Sequence, residues 1–410
     1  MNDLLKTEIK RLAQAHEFFA PQEKLVMVQE KTGNLFIGIP KENLIQENRI
    51  PLRPEAVRQL VNNGHEVWVE SGAGKGAKHS DRDYSESGAK IVYSPHEVFS
   101  ADIIIKIEPP TCEQINMMKT RSAIISALQL AKLSPEILKT INQKRITALA
   151  FELLEDRSGA LPFVRAMSEI AGNAVVSIAA EYLSSVNDGK GVILGGLTGV
   201  PPTSVVILGA GTVAEYAARA ALGLGASVQI FDKHLYRLHR LKQNVGYPHI
   251  YTAPFEPFLL RKALSRADVV VGALRAENGR TPCIVSEDMI QEMQPNSVII
   301  DVSIDGGGCF ATSEMTTHQR PTYKKYDIIH YCVPNIPSRV ARTASTAISN
   351  IFSPLLLEIA EKGGVEELIF SDRHFAKGVY SHSGEITSHV IAQKFNMKYK
   401  DLMLLVAPRF

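Results

Sequence analysis

Between Ser204 and Asp232 the chain carries the feature that most restricts how it can fold. A β-prone run, Ser204–Leu208, leads into Gly209-Ala210-Gly211-Thr212-Val213-Ala214. A helical stretch follows from about Ala214 to Leu224, then a second apolar run, Ser227–Phe231, which ends at Asp232. Strand, G-x-G-x-x-A turn, helix, strand and acidic residue, in that order, describe a dinucleotide-binding βαβ unit. Gly209 permits the tight strand-to-helix turn. Gly211 lets a pyrophosphate approach the backbone, and Ala214 lets helix and strand pack closely. The start of the helix offers free N–H groups and a positive dipole end to the phosphates. Asp232, about 20 residues on, is placed to accept hydrogen bonds from the adenosine ribose. Its charge opposes a 2′-phosphate, so NAD is expected over NADP, and Lys233, His234 and Arg237 soften that preference.

The same alternation extends in both directions. Strand-like runs recur at Leu35–Ile39, His65–Glu70, Lys90–Tyr93, Asp102–Ile107, Ser122–Leu128 and Thr147–Phe151. Helical stretches lie between most of them, such as Arg53–Asn63, with Pro54 in the first turn and Gly64 at the stop. A glycine-rich turn at Gly72, Gly74 and Gly76 follows the second strand. Ala171–Ser185 reads as a buried helix and Gly189–Pro202 as a turn region. Beyond the βαβ unit come strands at Val269–Leu274, Ser297–Val302 and Ile328–Val333, and after Asn335 a helical pattern, clearest over Thr343–Ala360. The expected fold is α/β: two doubly wound parallel-sheet domains, one of them a Rossmann domain, with a helical C-terminal segment. Residues 1–36 read separately, as a helical arm in which Leu4, Leu5, Ile9, Leu12, Ala15 and Phe18 mark an apolar face suited to a surface or subunit contact.

In such sheets ligands sit beyond the carboxyl ends of the strands. Those ends carry Leu274 and Arg275, then Ser303, Ile304 and Asp305, then Pro334 and Asn335. Asp305 precedes Gly306-Gly307-Gly308, where backbone can pass close to a ligand.

Composition narrows the partners. The chain has 410 residues, enough for two or three domains, and 45% of them are apolar, which suits a sizeable core. Its 45 basic and 43 acidic residues nearly balance, so no nucleic-acid or membrane-surface partner is expected. Cys112, Cys283, Cys309 and Cys332 form no C-x-x-C pair and no zinc spacing. They read as reduced, mostly buried thiols of a cytoplasmic protein, with no bound metal. The N-terminus has no secretory pattern, and the apolar runs read as strand-sized, too short to span a bilayer.

Several stretches resemble the alanine dehydrogenases, which share a fold with the NAD-binding part of proton-pumping transhydrogenases. They are Gly38-Ile39-Pro40-Lys41-Glu42 with Arg49, Glu70-Ser71-Gly72-Ala73-Gly74, Gly159-Ala160-Leu161-Pro162 and Met167-Ser168-Glu169-Ile170-Ala171-Gly172. Gly209 to Thr212, Asp301 to Phe310 and Tyr331-Cys332-Val333 with Asn335 complete the set. The resemblance implies reversible NAD-linked oxidative deamination of L-alanine to pyruvate and ammonia, in a homo-oligomer, often a hexamer or dimer. It implies a substrate domain split into 37–162 and 342–410, around an NAD domain at 163–341, so that the C-terminal segment returns to the first domain. By position, Arg49 would clamp the substrate carboxylate with its guanidinium fork. Asp305 would sit beside the nicotinamide and take part in proton transfer or in polarising water. Ser168, Thr212, Val213, Asp232, Arg237, Leu274 and Asn335 would line the cofactor.

Two positions depart from the family pattern. Where the family has a substrate-binding lysine this chain has Glu108, and where it has a catalytic histidine this chain has Gln129. Glutamine exchanges no protons near neutral pH. Lys106 lies two residues before Glu108 on the same strand face, where its amine enters the site or, as favoured, pairs with Glu108. Three readings follow: an NAD-dependent amino-acid dehydrogenase with altered substrate, for which a substrate bearing a positive group would suit Glu108; an NAD-binding regulatory or assembly protein that has lost the chemistry; or a transhydrogenase-like protein passing hydride between dinucleotides.

Overall fold

The computed structural model describes residues 33–42, 47–130, 133–247, 250–275 and 280–406. The N-terminal arm helix expected from the sequence lies outside the described residues. The first domain supplies β1 (Phe36–Ile39), β2 (Glu66–Glu70), β3 (Lys90–Val92), β4 (Ile103–Ile105), β5 (Ala123–Ser126) and β6 (Thr147–Ala150). The second supplies β7 (Ser204–Leu208), β8 (Ser227–Phe231), β9 (Tyr251–Ala253), β10 (Val269–Gly272), β11 (Val298–Asp301), β12 (Thr322–Lys325) and β13 (Ile328–Tyr331). Two further strands, β14 (Val379–His382) and β15 (Glu385–Ile386), come from the C-terminal segment. Four helices position the site: α1 (Pro54–Asn62), α2 (Pro162–Leu183), α3 (Thr212–Gly223) and α4 (Ala341–Glu361).

The strand order of the first sheet is β15-β14-β6-β5-β4-β1-β2-β3, and of the second β12-β13-β11-β10-β7-β8-β9. Pairings within β1–β6 and within β7–β11 with β13 are parallel. The doubly wound arrangement is therefore present in both sheets, with one correction. Each sheet ends in antiparallel strands: β12 on β13, and β14 and β15 beside β6. The C-terminal segment is thus not purely helical. Ser383 and Gly384 both have positive φ, at 51° and 90°, which is the geometry of a two-residue hairpin turn. The four residues of β14 are all buried, so a short apolar run sufficed to extend the sheet.

The return of the chain to the first domain is a packing event. Ile348, Phe352, Leu356 and Ile359 of α4 share one core with Ile37, Ile39, Ile105 and Ile125 of the first sheet. Phe151, Phe163 and Phe352 form a ring cluster with centroids 4.6–5.6 Å apart, tying the end of β6, the start of α2 and the middle of α4 together. α2 begins nine residues before the sequence expectation, with Pro162 in its first turn. At 22 residues, with mean hydropathy 1.2 over an 18-residue window, it is long and apolar enough to cross a membrane by length and composition, so not every apolar stretch is strand-sized. One face of it packs inside the protein, where Val175, Val176, Ile178 and Ala179 belong to the core beneath the second sheet. All four cysteines are free thiols. Cys309 and Cys332 are buried as expected, whereas Cys283 is exposed and Cys112 partly so.

Candidate active site

In the first sheet the winding reverses between β1 and β4, which opens a crevice beyond their carboxyl ends. The segments leaving those strands meet there. Glu42, after β1, accepts the Ile107 N–H on Oε1 at 2.6 Å, and its Oε2 lies 3.0 Å from Lys106 Nζ. Lys106 is nearly fully buried and also donates to the main-chain carbonyls of Glu108 at 2.8 Å and Pro109 at 3.3 Å. Beside the expected pairing with Glu108, which Lys106 meets at the main-chain carbonyl, the amine forms an ion pair with Glu42. That contact depends on β1 and β4 being neighbours, which strand spacing in the sequence does not reveal. Burial raises the Glu42 carboxyl above its ordinary range, and Lys106 offsets only part of the shift.

The two departures from the family pattern stand side by side. Gln129 Nε2 donates to Glu108 Oε1 at 3.2 Å. Gln129 follows β5 with φ at +40°, a backbone region costly for a residue with a Cβ. Glu152 holds this turn: its Oε1 accepts the N–H of Leu128 at 2.7 Å and of Gln129 at 3.3 Å. Burial raises the Glu152 carboxyl.

Arg49 lies on the same side and is 8% exposed. Its Nε and one terminal nitrogen are engaged by Glu47, at 2.8 and 2.6 Å, as a fork. The other terminal nitrogen lies 3.4 Å from the sulfur of Met167 on α2. The fork expected to clamp a substrate carboxylate is therefore occupied by Glu47, and the second terminal nitrogen is the one that faces α2. Burial by itself would raise the Glu47 carboxyl, but the charge and hydrogen bonds of Arg49 outweigh it and hold it below the usual range. Asn335, in the left-handed region at φ 59°, donates its side-chain amide to Glu47 at 2.8 Å. This expected cofactor residue thus joins the end of β13 to the Arg49 segment. Serines of the C-terminal region complete the mounting: Ser338, Ser345 and Ser349 accept the N–H groups of Asn48, Ile50 and Arg53 at 2.9–3.1 Å.

In the second sheet the winding reverses between β7 and β10. Gly209 has φ +112°, and a Cβ there would stand 2.5 Å from the Ala273 carbonyl, so only glycine fits between the two strand ends. A Cβ on Gly211 would meet nothing within 4 Å, leaving open space over the turn for a phosphate. Thr212 and Val213, partly exposed, begin α3, and Ala214 is fully buried against the sheet. Asp232 is buried: Oδ2 accepts the Ala210 N–H and Oδ1 the His234 N–H, each at 2.8 Å. Each carboxylate oxygen keeps a second acceptor site for a ribose hydroxyl. These residues fit a dinucleotide. Ser303 fixes the neighbouring rim, receiving the Leu274 N–H and donating to the Leu274 carbonyl, both at 2.9 Å. Asp301, fully buried, accepts from Ser303 N, Cys309 N and Ser313 Oγ, and so pins the turn that displays Asp305. Asp305 itself is exposed on that turn, and Ser168 is partly exposed on α2 beside Met167. Arg237 turns onto its neighbour, its Nε donating to Tyr236 Oη at 3.1 Å.

The structure therefore gathers Arg49, Lys106, Glu108 and Gln129 at one crevice, with Asn335 attached through Glu47. It gathers Gly209, Gly211, Thr212, Val213, Asp232 and Leu274 at the other. Sequence reasoning missed Glu47, Glu152 and Asp301. For Glu47 the signal was present: an acid two residues from an arginine shares its face in extended backbone.

The alanine dehydrogenase/PNT N-terminal domain model matches residues 38–171, and the C-terminal domain model residues 175–389. The chain is 38% identical over 367 residues to an alanine dehydrogenase of Methanococcus maripaludis, covering 89% of this chain and 98% of that protein. A solved L-alanine dehydrogenase superposes with a TM-score of 0.82 at 35% identity, over 88% of this chain and 99% of the other. A transhydrogenase from Sinorhizobium meliloti, at 21% identity and TM-score 0.74 over 86% of this chain and 99% of that one, shares the fold.

Proposed function

Because this chain belongs to the alanine dehydrogenase/PNT family, we propose that it is an NAD-dependent amino-acid dehydrogenase whose preferred substrate carries a cationic group and is not alanine. The relatives and the two-domain match support an NAD-dependent oxidoreductase of that family. The hydrogen-bonded pair Glu108–Gln129 supports a cationic substrate. A lysine at 108 would draw a substrate carboxylate; a glutamate there lowers the local charge by two units and repels it. A ligand ammonium or guanidinium reverses that sign.

The residues divide the work. Arg49, held by Glu47, offers one terminal nitrogen to an anionic group. Gln129 orients Glu108 and moves no proton. Proton transfer falls to carboxylates, with Asp305 at the cofactor rim assigned that role. Bound NAD+ supplies the hydride acceptor. Two other readings remain distinct: an NAD-binding regulatory or assembly protein, favoured by the absent lysine and histidine, and transhydrogenase-like hydride transfer. NAD+ reduction by the purified protein separates them, with alanine and several cationic amino acids as substrates. Oxidation of alanine is expected to be absent or very slow and a cationic substrate to be oxidised. Turnover of alanine near about 10 s⁻¹, an ordinary enzyme rate, would refute the substrate assignment, and silence with every amino acid would favour the regulatory reading.

Asp232 sets the cofactor. NAD(H) is expected to bind more tightly than NADP(H), since a 2′-phosphate would exchange a hydrogen-bonded hydroxyl for like-charge contact. Calorimetric titration with both cofactors checks this, and equal affinities would remove Asp232 from that role.

We also assign a cytoplasmic, self-associating protein. Leu197 and Val200 pair across one tight turn, and Leu224 lies against Gly195 just before it; these three and Ile193, four residues before Leu197, are 52–63% exposed. Burying this apolar cluster against a second copy accounts for its exposure. Light scattering should show an oligomer for the native chain and a smaller species for Leu197→Asp; an unchanged mass would place the contact elsewhere.

A further inference from the structure

We propose that the loop Gly72–Lys78 and the start of α4 form a second binding site, for a multiply charged oxyanion such as a phosphorylated or polycarboxylate metabolite. This does not rest on the dehydrogenase assignment. A cavity of about 770 Å³ opens between these elements, within the size range of small-ligand sites. Lys41, Lys75, Lys78, Arg339 and Arg342 line it. Two carboxylates, Glu42 and Glu47, which also border the Arg49 crevice, line it, and each is already matched, by Lys106 and Arg49. Arg339 is matched by Glu181. Among the described residues the other four lining cations, Lys41, Lys75, Lys78 and Arg342, enter no ion pair, and all four are exposed.

The walls are built, not merely decorated. A Cβ on Gly76 would stand 2.6 Å from the Asn48 carbonyl oxygen, so the loop is pressed directly onto the segment that carries Glu47 and Arg49. Asn48 is in turn held by Ser338. At the other end of the loop Asp81 accepts from Ser71 Oγ at 2.7 Å and from Gly72 N at 2.8 Å. Lys78 takes a left-handed φ of 62°, and its carbonyl accepts from Arg342 at 3.4 Å, so the loop also touches α4. Residues Ala341, Arg342 and Thr343 of the cavity wall form the first turn of the 21-residue α4, whose positive dipole end adds to the same potential. Exposed cations hold a single charge weakly, because water screens each contact. Several cations fixed around one space favour a ligand with several charges.

The test is calorimetric titration of the full chain with inorganic phosphate, pyrophosphate and citrate, with and without saturating NAD+, which fills the phosphate site at Gly211. Saturable binding of pyrophosphate or citrate is expected to persist beside NAD+ and to weaken with added salt. The two anions distinguish a phosphoryl ligand from a carboxylate one. Lys75→Glu with Lys78→Glu should weaken binding by about tenfold or more, a loss of 1.4 kcal/mol or greater, while NAD+ affinity stays unchanged. Lys41→Gln, on the opposite wall, should weaken it to a smaller extent. Absence of saturable binding by all three anions, or equal binding by the native chain and the charge-reversed variant, overturns the site.

Discussion

Replacing Gln129 with histidine and Glu108 with lysine together is expected to raise alanine-dependent NAD+ reduction by about 10²–10⁴-fold, the usual contribution of a positioned acid/base group. Gln129→His supplies a side chain that titrates near neutral pH. Glu108→Lys replaces a repulsive carboxylate with a cation on the Arg49 side of the crevice. Either change alone should do little, because a proton carrier without a held substrate is idle and the reverse also holds. The existing geometry favours the pair: residues 108 and 129 already lie within hydrogen-bonding distance, at 3.2 Å, and Glu152 fixes the backbone of residue 129. Steady-state rates of the two single variants, the double variant and a triple variant adding Asp305→Asn make the measurement. The triple variant should lose the gain. A double variant that folds, binds NAD+ and stays silent would show that the site has diverged beyond these positions, which supports the regulatory reading.

Glu47→Ala is expected to destabilise the fold by about 3–5 kcal/mol, the cost of leaving a buried charge without its partner. The Glu47 side chain is 1% exposed and holds two nitrogens of Arg49 as well as the amide of Asn335. Urea unfolding of both proteins reads the difference. Its pH dependence has a definite sign. The folded-state value of Glu47 lies below the unfolded one, so its contribution is complete above about pH 4.3, the ordinary glutamate value, and is lost as pH falls through the lowered folded value. The stability gap between native chain and variant should therefore narrow in acid. A gap that is constant down to the lowest pH at which both remain folded would assign the effect to packing, not to the ion pair.

The unit from β7 to Asp232 was legible in the sequence because everything that defines it is local: strand, glycines, helix and acid follow in order, and the structure places Asp232 on the Ala210 N–H. What stayed hidden depends on distant chain segments. The Arg49 segment hangs on Ser345 and Ser349, which lie 295 and 296 residues away from their partners. Lys106 finds Glu42 only because β1 and β4 are adjacent in the sheet. The start of α2 escaped because its first turns mix Arg165, Ser168 and Glu169 with apolar residues, which blurs the periodicity. The hairpin β14–β15 escaped because four- and two-residue strands in a helical context give almost no alternation to read. The substitutions at 108 and 129 were visible as departures, whereas their mutual hydrogen bond was not.

The single rod of α2 touches both crevices. Met167 meets Arg49 at the first, and five residues on, Gly172 sits so close to α3 that a Cβ would stand 2.5 Å from the Val213 carbonyl. Five helical residues span only about 7.5 Å. The spacing between the substrate side and the phosphate-binding helix is thus set by a short rigid ruler that includes neither residue 108 nor residue 129. The residues proposed to choose the substrate stand on strand ends of the first sheet, and the ruler is written on a helix. A lineage can rewrite the first while inheriting the second, trying new substrates against a cofactor that always arrives at the same distance.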